Sequence, residues 1–233
     1  MKLKTNIQIV VIIPAFNEEN SIENVVNDIP KHIVEEIIVV NNNSNDDTKT
    51  NAEKAGAIVL DEPRQGYGYA CLKGIDYLKN KTTQPDIVVF LDADYSDYPE
   101  EISQVIAPIL EENYDMVIGS RALGNRERGA MTPQQVFGNW LATRLIKLLY
   151  QTTYTDLGPF RAIKYEQLIA LEMRDKTYGW TVEMQLKAAK KKLKVTEVPV
   201  NYRKRIGFSK ISGTVKGTIL AGYKIITTIF KYL

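Results

Sequence analysis

Short apolar runs rich in β-branched residues alternate with segments of helical periodicity over the first half of the chain. That alternation is typical of parallel βαβ units. Five runs are predicted to be strands: Ile7–Ile13, Glu36–Val40, Ala57–Leu60, Asp86–Leu91 and Asp115–Gly119. Ligands of such sheets bind beyond the carboxyl ends of the strands, so the residues that follow each strand are the first place to look for function.

Helical segments fill the spaces between these strands. We predict that they begin near Asn20, near Asp46, near Gly68 and at Pro99, where a proline suits the first helical turn. Glu23 is placed for a capping box at the start of the first helix.

The second half of the chain does not show this regular alternation of strands and helices. We predict a long helix from Thr132 to Tyr150, a turn at Gly158-Pro159, two more helices, a strand near Val195–Tyr202 and a last helix. Without a repeat or linker between the halves, we predict one α/β domain over residues 1–212, with a mostly parallel sheet flanked by helices. An amphipathic helix over residues 213–233 follows it.

Composition excludes several classes of protein. The 233 residues are ample for one core, and a single cysteine, Cys71, cannot form an internal disulfide, which fits a cytoplasmic protein. The only histidine, His32, disfavours chemistry built on a histidine base or a His-rich metal site. Neither GxGxxG nor a Walker lysine follows the first strand, which disfavours dinucleotide-binding and P-loop folds.

Positive charge is concentrated late in the chain. The stretch Lys187–Lys216 holds ten Lys or Arg residues and one acid, Glu197. For Lys190–Lys192 we favour a solvated helix face. Three other cations lie in a loop-like stretch with Gly207, where a phosphate partner and solvent are both open interpretations: Arg203, Arg205 and Lys210. Nucleic acid is disfavoured, because no recognition helix or aromatic RNA-binding motif accompanies the charge.

The predicted strand over Ile87–Leu91 ends directly in two carboxylates, Asp92 and Asp94. Both could reach one hard cation, and Mg²⁺ or Mn²⁺ prefers such oxygen ligands together with substrate phosphates. The alternative is a capping or solvated pair. We interpret Asp97 and Pro99 as the start of the next helix, which leaves the pair available for function.

In order along the chain, several segments resemble the family 2 glycosyltransferases of the GT-A fold, and within them the dolichyl-phosphate or polyprenyl-phosphate sugar synthases. The segments are Val11–Glu19, Val39–Thr48, Gly66–Ile75, Asp92–Asp94 with Pro99-Glu100, Gly119–Arg121, Asp156–Arg161 and Glu197–Ser212. The resemblance covers nearly the whole chain, and the ordered set is more specific than any one piece.

The resemblance implies inverting transfer of a sugar from a nucleoside diphosphate sugar, with Mg²⁺ or Mn²⁺ held by Asp92 and Asp94. It implies a donor site formed by Pro14, Ala15, Asn17, Glu18, Asn41, Asn42, Asp92 and Ala93. The implied catalytic residues are Asp94, Glu183 and Arg121. The implied acceptor or phosphate-binding residues are Arg205, Ser209 and Lys210.

Two departures from the family pattern bear on the donor. Asn41 and Asn42 stand where the family usually has acidic residues, and Ser96–Tyr98 replaces a Gln-His-Pro-like run. An Asn offers one acceptor and one donor group, which match uracil better than guanine, so we favour a UDP-sugar over a GDP-sugar. An Asx-rich turn over Asn41–Asn43 is an equally weighted alternative.

The acceptor decides whether a base is needed. A polyprenyl phosphate, which we favour, is already anionic, whereas a saccharide or lipid hydroxyl would need a carboxylate such as Glu183. Tyr178 and Trp180 are interpreted either as an acceptor-side wall or as core. A protein that binds nucleotide-sugar without catalysis is a further alternative.

The last segment is amphipathic. Its apolar positions recur at steps of three and four residues, but Lys216, Lys224 and Lys231 interrupt it, which argues against a spanning helix. A membrane surface, the domain itself and a second subunit in a homodimer are open as its partners. We therefore predict a cytoplasmic protein and consider peripheral attachment to the inner face of the membrane.

Overall fold

The structure is a computed structural model that describes residues 7–207 and 215–233. Seven strands of this described part form one sheet in the order β3-β2-β1-β4-β6-β5-β7. The strands are β1 (Ile9–Ala15), β2 (Glu36–Asn41), β3 (Ile58–Asp61), β4 (Ile87–Phe90), β5 (Met116–Ser120), β6 (Arg161–Lys164) and β7 (Val195–Pro199). Only β6 runs antiparallel to its neighbours, so the predicted mostly parallel α/β sheet is confirmed.

The helices of the described chain are α1 (Ile22–Asp28), α2 (Thr48–Lys54), α3 (Tyr67–Lys79), α4 (Ile102–Glu112), α5 (Pro133–Tyr150), α6 (Tyr165–Ala170), α7 (Trp180–Lys190) and α8 (Val215–Lys231). A 3₁₀ turn at Pro99–Glu101 precedes α4. None of the helices described is both long and apolar enough to cross a bilayer.

The sheet has two hydrophobic faces because side chains alternate along each strand. On β1, Val10 and Ile12 face one core and Val11 and Ile13 face the other. The first core is covered by α3, α5, α6, α7 and α8, and the second by α1, α2 and α4. Ile229 of α8 is buried in the first core, so the predicted C-terminal helix packs against the body.

The strand order reverses at β1, so the sheet has a topological switch point there. The chain runs from β1 to β2 and β3 on one side, and β4 then pairs with the other side of β1. A crevice opens where strand order reverses in such sheets, at the carboxyl ends of the strands. Asp92 and Asp94 follow β4 at this point.

Two sequence predictions were wrong in detail. Strand β6 was not predicted, because its four residues include the polar Arg161 and follow a Gly-Pro turn. The capping box at Glu23 does not form, since the Ser21 hydroxyl donates instead to the carbonyl and carboxylate oxygens of Glu18. The long helix α5 has a capping box in which Thr132 and Gln135 bond reciprocally.

Candidate functional site

A cavity of about 490 Å³ lies at the switch point, between the ends of β1 and β4 and the start of α3. Its walls include seven of the predicted donor and metal residues and one predicted phosphate-binding residue: Pro14, Ala15, Glu18, Asn42, Asp92, Ala93, Asp94 and Arg205. Thr177 and Tyr178 close it from the loop before α7. The topology therefore brings most of the predicted donor set to one place.

Asp94 is buried and is held in a fixed orientation. Its Oδ1 accepts from the backbone N–H of Ser96 at 2.9 Å and from the Ser96 hydroxyl. Its Oδ2 lies 3.1 Å from Nη1 of Arg205. One carboxylate oxygen is thus used by the protein's own turn, and the other faces a cation.

Asp92 carries the clearest sign of an absent partner. Its Oδ1 is buried and accepts no hydrogen bond from any residue that the structure describes. Burial, followed by the neighbouring charge of Asp94, raises the pKa of Asp92 to about 7. A buried polar atom without a partner calls for a ligand, and a hard divalent cation suits a carboxylate oxygen beside a second carboxylate.

The side chains around Asp92 and Asp94 also limit which metal ion could be bound. Across residues 7–207 and 215–233, no group of three or more His, Cys, Asp or Glu side chains is placed to hold a metal ion. Two carboxylates suit a cation that keeps water and substrate phosphate oxygens in its shell, as Mg²⁺ does. The residues present therefore fit a cation that binds together with a diphosphate.

Arg205 reaches into the cavity from the segment after β7. Its Nη2 donates to Oε1 of Glu18 at 2.7 Å, and its Nη1 pairs with Asp94. The backbone fixes this position, because Ile206 N–H donates to the Asp94 carbonyl at 3.0 Å and Arg203 N–H donates to the Ser96 carbonyl at 2.9 Å. Arg205 therefore links the two carboxylates across the mouth of the site.

Arg121 is held apart from that cavity by Asp156. The guanidinium makes two hydrogen bonds of 2.8 and 2.7 Å to the Asp156 carboxylate, and its own backbone N–H makes a third. Burial opposes the charged form, but the Asp156 charge outweighs it and holds the pKa of Arg121 well above its ordinary value. Arg121 is thus a fixed cation.

A second cavity, of about 280 Å³, lies between α5 and α8 and contains Arg121 in its wall. It shares Tyr67, Asp92 and Tyr178 with the first cavity. Its other walls are largely apolar, with Met131, Gly138, Leu157, Pro159, Ala221, Gly222 and Ile225, and also contain the uncharged polar residues Gln134, Gln135, Asn139 and Thr181. A cavity with several charged residues in its wall and a more apolar cavity therefore meet at Asp92.

The predicted asparagines hold loops together. Asn42 donates to the carbonyls of Glu62 and Arg64 and accepts from Gly66 N–H at 2.8 Å. Asn41 bridges to Asp61 and to Ser44 N–H, and Asn17 bonds residues 44 and 45. Of the three, only Asn42 lines the donor cavity, and both of its amide hydrogens point to backbone carbonyls.

Glu183, which is expected to act near the acceptor, lines neither of the two cavities. Its buried carboxylate accepts from the backbone N–H groups of Arg174 and Asp175, from the Tyr232 hydroxyl, and pairs with Lys187 at 2.8 Å. Through these hydrogen bonds the Glu183 carboxylate joins the loop before α7 to Tyr232, the residue that follows α8. These contacts hold the surrounding chain together, and a role for Glu183 at the acceptor stays a prediction.

The aromatic pair expected at the acceptor side has divided roles. Trp180 is buried in the core with its ring edge against Phe90, which corresponds to the core alternative. Tyr178 lines both cavities. The remaining predicted site residues, Ser209 and Lys210, lie outside the described residues.

Sequence reasoning missed Asp97. Pro99 begins the turn before α4 as expected, but Asp97 does not cap it. Its side chain is buried, and both carboxylate oxygens lack hydrogen-bond partners within the described residues. Burial, followed by the charge of Asp92, raises the pKa of Asp97 well above its ordinary value. The burial of this carboxyl has no signal in the sequence.

Gly66 and Gly68 lie at the start of α3, and the structure shows a packing reason for both glycines. A Cβ at Gly68 would lie 2.1 Å from the Asp175 carbonyl oxygen, and one at Gly66 2.3 Å from that of Lys176. Only glycine permits this approach. The contact seats the loop that carries Thr177 and Tyr178 against the start of α3.

Comparison with known proteins places these features in context. A family model described as Glycosyl transferase family 2 matches residues 10–171. An uncharacterized glycosyltransferase of Mycobacterium tuberculosis is 34% identical over 217 residues, which are 91% of this chain and 94% of that protein. The UDP-N-acetylglucosamine–dolichyl-phosphate N-acetylglucosaminyltransferase of Methanococcus voltae is 31% identical, covering 93% of this chain and 92% of that protein.

A similar solved structure is glucosyl-3-phosphoglycerate synthase from Mycobacterium tuberculosis in complex with Mn²⁺, uridine diphosphate and phosphoglyceric acid. It aligns with a TM-score of 0.78 at 23% identity, over 98% of this chain and 79% of that one. That likeness shows a shared fold.

Proposed function

Because the chain belongs to glycosyl transferase family 2, we propose that it transfers a sugar from a UDP-sugar to the phosphate of a polyprenyl lipid, with a divalent cation held by Asp92 and Asp94. The GT-A fold and the glycosyltransferase class agree with the sequence-based expectations. The identity of the nucleotide, the cation and the acceptor form the proposal.

The observation that carries the proposal is the meeting of two unlike cavities at Asp92. One has carboxylates and Arg205 in its walls, which suits a nucleoside diphosphate with its cation. The other is largely apolar, with Arg121 in its wall, which suits an acceptor that joins an anionic head to a hydrocarbon chain. Donor and acceptor would then meet beside Asp92.

On the donor side, Asp92 and Asp94 would hold the cation, which supplies positive charge to the departing diphosphate. Arg205 lies within reach of Asp94 and would turn from it to the diphosphate oxygens when the donor binds. Tyr67, whose buried hydroxyl has no partner among the described residues, borders the place where the two substrates meet.

On the acceptor side, Arg121 would position a phosphate through its fixed charge. A phosphate oxygen of the acceptor attacks the anomeric carbon while the bond from that carbon to the diphosphate oxygen breaks, and the bonding electron pair leaves with the diphosphate. No proton has to be removed, because the lipid phosphate is already ionised. This agrees with the structural engagement of Glu183, the carboxylate that a hydroxyl acceptor would have required.

The names of two similar proteins support parts of this proposal. The Methanococcus voltae relative is named for UDP-N-acetylglucosamine and dolichyl phosphate. The structural neighbour is described with uridine diphosphate and Mn²⁺. They are the reason for testing UDP-sugars and Mn²⁺ first.

The experiment incubates the protein, Mn²⁺ and a panel of labelled UDP- and GDP-sugars with a short polyprenyl phosphate or with the matching polyprenol. We expect label in the phosphate lipid from a UDP-sugar, loss of transfer in Arg205→Ala, and normal transfer in Arg174→Ala. Arg174 is a suitable control because its guanidinium forms an exposed ion pair with Glu172. Transfer to the alcohol alone would refute the phosphate acceptor.

A further inference from the structure

Exposed apolar side chains are concentrated on one part of the molecule. Nine of the thirteen large apolar side chains that are exposed in the described chain lie on α5, on α8 or at Leu233. We define the α5–α8 face by six of them: Phe137, Trp140, Leu148, Ile219, Tyr223 and Phe230. Four of the six are aromatic, and all are more than half exposed. Exposed apolar side chains concentrated on two helices that pack together are typical of an interaction site.

The two helices pack against each other. The Tyr150 hydroxyl at the end of α5 donates to the Ile229 carbonyl near the end of α8 at 2.6 Å. Earlier on the same helices, Gly138 and Gly222 line the smaller cavity together. Those glycines are next in sequence to Phe137 and Tyr223, so the α5–α8 face is on the same helix segments that form a wall of the cavity reaching Asp92.

The positive charge on α5 and α8 favours an anionic partner. Neither α5 nor α8 contains an acidic residue, while Arg144, Lys147 and Lys231 are exposed on them. Two copies of this face brought together would oppose cation to cation. An anionic lipid surface complements it, since aromatic side chains prefer the headgroup region and cations attract acidic headgroups.

We propose that the α5–α8 face docks on the surface of an anionic lipid bilayer, with Phe137, Trp140, Tyr223 and Phe230 in the headgroup layer. Amphipathic helices bind membranes in this way without spanning them. Docking in this orientation turns the smaller cavity, between α5 and α8, towards the lipid. The inference is independent of the acceptor proposed above, because it concerns the protein without donor or acceptor.

Tryptophan fluorescence provides a direct test. The chain has two tryptophans, of which Trp180 is 1% exposed and Trp140 is 52% exposed. Vesicles of phosphatidylcholine with phosphatidylglycerol should shift the emission to the blue, because Trp140 leaves water. Trp140→Phe should remove the shift and keep sedimentation with the vesicles. Failure of the wild type to sediment with anionic vesicles would overturn the proposal.

Matched variants show which side chains bind the vesicles. Trp140→Glu with Phe230→Glu should lower vesicle partitioning by about tenfold or more, and Arg144→Ala with Lys147→Ala by roughly fivefold for each cation removed. Leu110→Glu is the control, since Leu110 is an exposed leucine of α4 on the other side of the sheet.

Two results would oppose the proposal. Equal partitioning of Trp140→Glu/Phe230→Glu and Leu110→Glu would exclude the α5–α8 face as the docking surface. A wild-type dimer in size-exclusion chromatography that the double variant converts to a monomer, without vesicle binding, would assign the face to a second copy. Sugar transfer to a detergent-dispersed short-chain acceptor is measured in parallel, so that loss of docking and loss of chemistry are measured separately.

Discussion

Arg205 stands where a cation is expected to act, so its removal should have opposite effects on metal and on nucleotide. Its guanidinium bridges Glu18 and Asp94 at 2.7 and 3.1 Å. A divalent cation that binds Asp94 has to displace this contact. We therefore expect Arg205→Ala to bind Mn²⁺ more tightly than the wild type when no nucleotide is present.

The magnitude follows from the burial of the pair. Unit charges about 4 Å apart attract by about 4 kcal/mol at an effective dielectric of about 20. Solvent screening and side-chain entropy reduce the net value, since the Arg205 side chain is 27% exposed and that of Asp94 is 9% exposed. A net value of about 1 kcal/mol predicts Mn²⁺ binding about fivefold tighter in the variant.

With nucleotide present the sign reverses. Arg205 would donate to the diphosphate, and a hydrogen bond to a charged group contributes about 1.5–3 kcal/mol. UDP in the presence of Mn²⁺ should therefore bind Arg205→Ala about tenfold to a hundredfold more weakly. Calorimetric titrations of Mn²⁺ alone, and of UDP with saturating Mn²⁺, measure both effects, with Arg174→Ala as the control. Unchanged or weaker Mn²⁺ binding without nucleotide would show that Arg205 does not compete for Asp94.

Four further outcomes are expected. Asp94→Ala should lower metal-dependent donor turnover by about a hundredfold or more with its circular dichroism unchanged, and near-normal turnover would exclude the metal assignment. UDP with Mn²⁺ should raise the melting temperature more than GDP with Mn²⁺ at equal concentration, and the reverse order would refute the uridine pocket. Glu183→Gln should lower the free energy of unfolding in urea by about 3 kcal/mol, because it leaves the largely buried Lys187 side chain without its counter-charge, and a fully stable but inactive variant would restore a chemical role. Mn²⁺ affinity should fall as the pH drops below about 7, since the raised pKa of Asp92 lets protons compete with the cation, and a flat profile between pH 5 and pH 7 would contradict that pKa.

The sequence predicted the features that depend on local pattern. The β-branched runs identify the parallel strands, and the two aspartates after β4 follow from the end of an apolar run. The two aspartates lie at the carboxyl end of the sheet because the carboxyl ends of its parallel strands converge there. Pro14, Glu18 and Arg205 reach the same cavity although they lie far apart in sequence.

Other features depend on tertiary partners that a sequence does not show. Asn42 has a side chain that could read a base, yet its amide group donates to the carbonyls of Glu62 and Arg64, 20 and 22 residues away. Glu183 occupies a motif position that suits a base, but the Tyr232 hydroxyl and two backbone N–H groups surround it. Asp97 was assigned to a helix start, and only the packing around it shows that its carboxyl is buried.

The position of β6 also determines the order in which the molecule can assemble. Strands β1 to β3 can pair as they leave the ribosome, but β5 does not touch β4, the strand before it. Both wait for Arg161–Lys164, which is inserted between them. Until some 160 residues have been synthesised, β4 keeps an open edge beside the aspartate pair, and an open edge invites pairing with another chain. Any fragment that ends before Arg161 would lack β6 and would keep this edge of β4 exposed.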